Sequence, residues 1–147
     1  MSIKTTTHLN FRGDARAALE FYQSVFGGDV TVATYGDFGM PAGVPGTENV
    51  VFGQVETADG FRVMAYDIPG QSGGAAASST YRENGTTITD QPFFTSVRGE
   101  TLDEIEGYWA ALSAGASIVE PLAASAWSPG FGMLTDRFGV TWILDVA

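Results

Sequence analysis

The sequence predicts a single α+β domain built from two copies of a βαβββ unit. Three observations carry that expectation. Two amphipathic helices match one another at a fixed offset, downstream strand and turn residues match at a second offset, and six segments rich in β-branched and aromatic residues fall in the order the unit requires. A chain of 147 residues suits one domain and can bury a core without covalent staples.

The first helix is expected over residues 14–26. Asp14 is placed as its N-cap, because a carboxylate there accepts hydrogen bonds from free first-turn amides. Ala15, Ala18, Leu19, Tyr22, Val25 and Phe26 recur at helical spacing, and Gly27-Gly28 can take the left-handed conformation that ends a helix. The second helix is expected over 102–114. Thr101 and Glu104 form a capping-box pattern, Leu102, Ile105, Trp109 and Leu112 make the apolar face, and Gly115 can stop it.

Ala15 and Leu102, Tyr22 and Trp109, and Gly28 and Gly115 are each 87 residues apart. Phe52-Gly53 and Phe131-Gly132, and Gly60 and Gly139, are each 79 apart. The first half therefore carries eight extra residues between its helix and its third strand, in the Gly- and Pro-rich stretch 37–49. Strands are expected at 30–35, 50–57 and 61–66, and at 93–97, 118–122 and 140–146, with tight turns at Asp59-Gly60 and Phe138-Gly139. With a first strand before the first helix and a strand at Phe131-Gly132 to match Phe52-Gly53, this makes eight strands in two four-stranded sheets. The modules span about 1–69 and 92–147, and the Gly/Ala/Ser/Thr-rich stretch 70–91 reads as a linker or lid.

Composition excludes several classes. Seventeen acidic residues against seven basic ones give a formal net charge of -10, so nucleic acid is not an expected partner. No apolar stretch approaches the ~20 residues of a membrane span, and the polar first ten residues lack the apolar core of a signal peptide, so no membrane association and a cytoplasmic location are expected. The absence of cysteine excludes disulfides and thiolate metal sites. No phosphate-binding loop, dinucleotide fingerprint or nucleophile elbow is present, and a lone histidine argues against a Ser-His-Asp triad.

Two segments carry a family resemblance: Phe11-Arg12-Gly13-Asp14-Ala15 through Tyr22, followed by Val25-Phe26-Gly27-Gly28, and Gly130-Phe131-Gly132-Met133-Leu134-Thr135-Asp136-Arg137-Phe138-Gly139 through Trp142. With the doubled order, they resemble the vicinal oxygen chelate superfamily of glyoxalases, bleomycin-resistance proteins and extradiol dioxygenases. The closest likeness is to its PhnB-type branch, often labelled 3-demethylubiquinone-9 3-methyltransferase-like. The resemblance implies cupped mixed β-sheets with helices outside, the glyoxalase/bleomycin resistance fold. It also implies a small-molecule cavity on the concave faces, frequent dimerisation and, in metal-dependent members, four ligands from the first and fourth strands of each half.

That metal set is not expected here. Counting through the family match puts the ligand positions at Thr7, Met64, a residue near Pro92 or Phe94, and Ile143. His8, the only histidine, falls one residue off, which in a strand turns a side chain to the other face. Thr, Met, Phe and Ile are poor ligands for a hard divalent cation, so neither a metal nor another cofactor is expected. Glu56, Asp59, Asp67, Asp136 and Asp145 are read as solvated or turn acids, and Arg62 and Arg98 as exposed strand-end residues with the alternative of anchoring an anion. Trp142 is read as core. The ligand-binding candidates are His8, Met64, Tyr66, Phe94, Trp127, Phe131 and Ile143, a mostly apolar set suited to a small organic molecule. The function expected is metal-independent small-molecule binding by a homodimer, in resistance or sequestration, where the acidic surface suits a cationic ligand. The alternatives are an enzyme of glyoxalase or dioxygenase type and a structural or regulatory dimer with a filled cavity. No catalytic residue is assigned.

Overall fold

The computed structural model describes residues 2–76 and 79–147. Two compact units divide the chain, Met1–Ala75 and Ala76–Ala147. In the first, β1 (Thr7–Phe11), β2 (Asp29–Thr34), β3 (Val50–Glu56) and β4 (Arg62–Asp67) form a sheet of order β1-β4-β3-β2, with α1 (Ala15–Phe26) between β1 and β2 in the chain. β1 runs parallel to β4 and the other pairs are antiparallel. The second unit opens with a hairpin, β5 (Tyr81–Glu83) and β6 (Thr86–Ile88), inside the stretch read as a linker or lid. β7 (Thr95–Gly99), α2 (Leu102–Leu112), β8 (Ser117–Ala123), β9 (Phe131–Thr135) and β10 (Thr141–Val146) then repeat the first unit in the order β7-β10-β9-β8.

Each sheet has one face backed by its helix. In unit 1 the alternate residues Leu9, Phe11, Val55, Val63 and Ala65 are buried on α1, which contributes Ala18, Leu19 and Tyr22, each with no exposed surface. Side chains of the Leu or Phe class contribute about 1.5–3 kcal/mol each when fully buried. In unit 2, Leu134, Trp142 and Leu144 are buried with Ile105 and Leu112 of α2. Leu102, expected on the apolar face of α2, is instead partly exposed. Gly53 and Gly132, equivalent in the repeat, mark where helix and sheet touch. A Cβ on Gly53 would lie 2.3 Å from Leu19, and one on Gly132 would lie 2.7 Å from the Trp109 ring.

The paired turns also repeat. Thr57 and Asp136 each donate the backbone N–H to the carbonyl four residues on, at 2.9 and 2.8 Å. Each side chain accepts from the backbone N–H of that same residue: Thr57 Oγ1 from Phe61 and Asp136 Oδ1 from Val140, both at 3.0 Å. Gly60 and Gly139 supply the positive φ the turns require.

Three expectations are corrected. Asp14 occupies the N-cap of α1 without a side-chain capping bond. Its place is taken from 52 residues away by Asp67, whose Oδ1 accepts from the amides of Gly13 (2.9 Å) and Ala15 (3.0 Å), while Oδ2 accepts from Val50 (2.9 Å). Asp67, Asp136 and Asp145 are therefore buried structural acids. Strand-end position hid this for Asp67 and Asp145, whose donors come from other elements, while Asp136 is held by its own turn and by Trp142. Finally, β7 starts at Thr95 rather than at Phe93, because its ladder with β10 begins at the pair Trp142 and Thr95. A local apolar run carries no information about that partner.

Candidate functional site

The faces turned away from the helices hold the candidate residues. On unit 1, alternation along β4 raises Arg62, Met64 and Tyr66 together, and the register sets His8 beside Met64 and Asn10 beside Tyr66. His8 thus lies on the open face and Thr7 on the helix side, the reverse of the counted positions. A count back from Gly13 does not fix the face of a strand residue; the register with β4 does. His8 Nδ1 lies 3.0 Å from Asn10 Oδ1, and its ring meets Tyr66 edge-on at 5.3 Å. With the amide oxygen as acceptor, Nδ1 is the donor of this bond. From β3, Phe52, Gln54 and Glu56 share the face, with Gln54 opposite Met64 and Glu56 opposite Arg62. Arg62 Nη2 donates to Gln54 Oε1 at 2.9 Å, and Gln54 Nε2 donates to Glu56 Oε2 at 2.9 Å. Behind this face the Tyr35 hydroxyl donates to the Asp67 carbonyl at 2.7 Å. Partial burial, then the neighbouring Tyr66 and Asp67, push the Tyr35 phenol above its ordinary range.

On unit 2 the same positions carry Thr141, Ile143 and Asp145 on β10, Ser96 and Arg98 on β7, and Phe131, Met133 and Thr135 on β9. The Arg98 guanidinium donates twice to Asp145, at 2.8 and 3.2 Å, and that bond raises the Arg98 pKa. Thr135 and Thr141 bond hydroxyl to hydroxyl at 2.8 Å. The β5–β6 hairpin lies against this face. Arg82 Nε is 3.4 Å from Glu120 of β8, Arg82 Nη1 donates to Thr87, and the Thr87 hydroxyl reaches Met133 Sδ at 3.6 Å, leaving Met133 only 2 % exposed. Phe131 and Ile143 stay half-buried beside it. Trp127 is 67 % exposed and meets Phe131 edge-on at 5.4 Å, and Phe94 is half-buried just before β7.

The geometry brings His8, Met64 and Tyr66 together on one sheet and Phe131, Ile143 and Trp127 around the other; Phe94 stands off the ladder. Ser96, missed in the sequence, pairs with Ile143 as His8 pairs with Met64, and only the strand register reveals it. On the central parallel strand pairs the face positions beside one another are His8 and Met64 in unit 1 and Ser96 and Ile143 in unit 2. One imidazole, one thioether, one hydroxyl and one hydrocarbon do not fit a catalytic divalent cation. No group of three or more His, Asp or Glu that could hold a metal occurs among the described residues. No helix among them is long and apolar enough to cross a membrane.

The family model of the glyoxalase/bleomycin resistance protein/dioxygenase superfamily matches residues 6–144. The chain belongs to this superfamily. It is similar to an uncharacterised protein of Mycobacterium bovis, 29% identical over 132 residues that cover 89% of this chain and 75% of that one. Among solved structures it is similar to a protein from Pseudomonas aeruginosa, with TM-score 0.76, 26% identity and 99% and 98% of the two chains covered. It is also similar to a PhnB protein from Bacillus cereus, with TM-score 0.69, 28% identity and 99% and 100% covered. The PhnB-type likeness and the doubled fold agree with these matches.

Proposed function

We propose that the protein binds a small, largely apolar organic molecule on the helix-free face of its sheets, without a metal ion. One observation carries this reading. Along β4 the residues facing the helix are sealed while Arg62, Met64 and Tyr66 are not; on β9 and β10 Phe131 and Ile143 alone stay open, since Met133, Thr135, Thr141 and Asp145 on the same face are buried. Val63, Ala65, Leu134 and Leu144 are at most 1 % exposed, whereas Met64, Tyr66, Phe131 and Ile143 stay half-buried. Apolar surface with a few placed polar groups is what small organic ligands select, and His8, Asn10, Ser96 and Arg98 are such groups. Resistance or sequestration follows as the biological role, because binding needs no reacting group.

The open strand edges support a homodimer, and the absence of cysteine supports a cytoplasmic site of action. Light scattering should return twice the 15.5 kDa chain mass; the single-chain mass at micromolar concentration contradicts the dimer. The binding reading is tested by a thermal-shift screen of organic compounds in the presence of a chelator. A ligand at a hundred times its Kd stabilises the native state by about 2.7 kcal/mol. A hit should be weakened by Trp127→Ala or Phe94→Ala. Hits that vanish with the chelator and return with a divalent ion would overturn the reading in favour of a metal enzyme.

A further inference from the structure

We propose that the open face of unit 1 is a subsite for the carboxylate of a small organic acid, with Arg62 as its anchor. The inference rests on the binding reading above and names the chemical class of the ligand. Among the described residues, Arg62 is the only Lys or Arg on the β1–β4 face, which also carries His8, and it stands on the same side of β4 as Met64 and Tyr66. Its bond to Gln54 uses Nη2 alone. Its Nε is buried and has no hydrogen-bond partner among the described residues. A buried donor left without an acceptor is rare in native chains and marks a place where a further acceptor belongs. The guanidinium fork presents paired N–H groups in the geometry of a carboxylate. Arg98 differs, because Asp145 already fills its fork.

Gln54 holds Nη2, one arm of the fork, and leaves Nε without an acceptor. Glu56 sits directly across from Arg62 in the strand register, where an ion pair would be the simple outcome. Gln54 instead stands between them, accepting from Arg62 and donating to Glu56, so the native acid is engaged without closing on the guanidinium. The remaining contacts suit an apolar body. Met64 lies two residues along β4 from Arg62, about 7 Å at the usual strand rise, with Tyr66 and the partly exposed Phe52 beyond it. The net charge of -10 does not forbid an anion here. Charges beyond about 8–10 Å are screened at physiological salt, so the charges that count are those on the face. These are Arg62, Glu56 and Asp29, the last paired with Glu56 on β2. Glu56 is held by Gln54 rather than by Arg62, so the two carboxylates weaken the site while the guanidinium contact sets its preference.

The test uses three matched probes on the full chain by calorimetry: 3-phenylpropionate, its neutral amide and 3-phenylpropylamine. The acid should bind at least about tenfold more tightly than the amide, as expected for charge-assisted bonds, and the amine should bind least. Arg62→Gln should abolish the preference for the acid, and Arg62→Lys should only reduce it, since lysine keeps the charge and loses the fork. Glu56→Gln should strengthen acid binding, because it removes a repelling charge and retains an acceptor for Gln54. That gain cannot come from misfolding. Equal binding of acid and amide overturns the anion subsite while leaving the binding reading intact. Preference for the amine, or a preference for the acid unchanged in Arg62→Gln, overturns it as well. No binding of any probe overturns the subsite, and the separate compound screen then decides the broader reading.

Discussion

The two units share a skeleton and differ on one face. Helix-side features repeat residue for residue: Gly53 and Gly132 at the helix contacts, Thr57 and Asp136 closing the turns, Gly60 and Gly139 within them. The helix-free faces do not. Where unit 1 carries the chain Arg62–Gln54–Glu56, unit 2 carries the direct hydroxyl pair Thr135–Thr141 and Met133 under a hairpin. Where unit 1 has Asn10 and Tyr66 holding His8, unit 2 has the ion pair Arg98–Asp145. Packing constrains the first set, since a helix must approach a sheet closely. Nothing in the fold constrains the second, and divergence there is the freedom that a binding surface requires.

The same job is also done with different chemistry. In unit 1, Asp67 ties the β1–α1 junction to the start of β3. In unit 2, the Ser128 hydroxyl ties the start of β9 to the end of β10, accepting from the amides of Gly130 and Val146 and sharing its one proton between their carbonyls, each 2.8 Å away. The largest expected effect is therefore an asymmetry. Asp67→Ala leaves three amides without their charged acceptor and should cost roughly 3 kcal/mol or more, while Ser128→Ala should cost about 1–2 kcal/mol. Urea unfolding measures both, and equal losses would break the comparison.

Next come the turns. Asp136 accepts from Phe138 (2.8 Å), Val140 (3.0 Å) and the buried Trp142 indole (2.9 Å), whereas Thr57 accepts one backbone bond. Asp136→Ala should cost roughly 2–3 kcal/mol and Thr57→Ala about 1 kcal/mol. Calorimetric melting gives the order, and a larger loss from Thr57→Ala would reverse the account.

Gly53→Ala and Gly132→Ala test the shared skeleton. Both should destabilise, by about 1–3 kcal/mol each, because a methyl forces a packed side chain aside. A neutral result at either position, read from the same melts, would mean that helix contact does not explain that glycine.

The smallest effect concerns the hairpin, which unit 1 lacks. The Ser79 hydroxyl, then the Gln91 amide, bond Asp90 and hold its carboxyl below the usual carboxylate range. A depressed folded pKa means that this contribution is fully present above the ordinary carboxylate value and lost as pH falls through the folded one. NMR titration of the Asp90 side chain should show a midpoint below that of a free aspartate, and Ser79→Ala should raise it. A midpoint unchanged in the variant contradicts the assignment.

Much of the skeleton was legible in the sequence because it is written locally. Helical spacing over Ala15–Phe26, Gly at the turns and the 87 and 79 offsets are all visible without knowing what touches what. The site was legible in residue type but not in register. His8, Met64 and Ile143 were singled out, yet the face of His8 and the place of Ser96 depend on the strand registers with β4 and β10. The structural role of Asp67 was invisible for the same reason, since its donors lie 52 and 54 residues earlier and 17 residues earlier in the chain.

The central claim, ligand binding on the helix-free faces without a metal, can be read most directly from the methionine methyls. Met64 and Met133 sit on those faces, while Met40 lies in the loop between β2 and β3. Methyl-labelled methionine spectra should be recorded with chelator present while a ligand from the screen is added. The account predicts saturable shifts at Met64, Met133 or both, with Met40 unmoved. Shifts confined to Met40, or shifts at the face methionines that appear only after a divalent ion replaces the chelator, would contradict it.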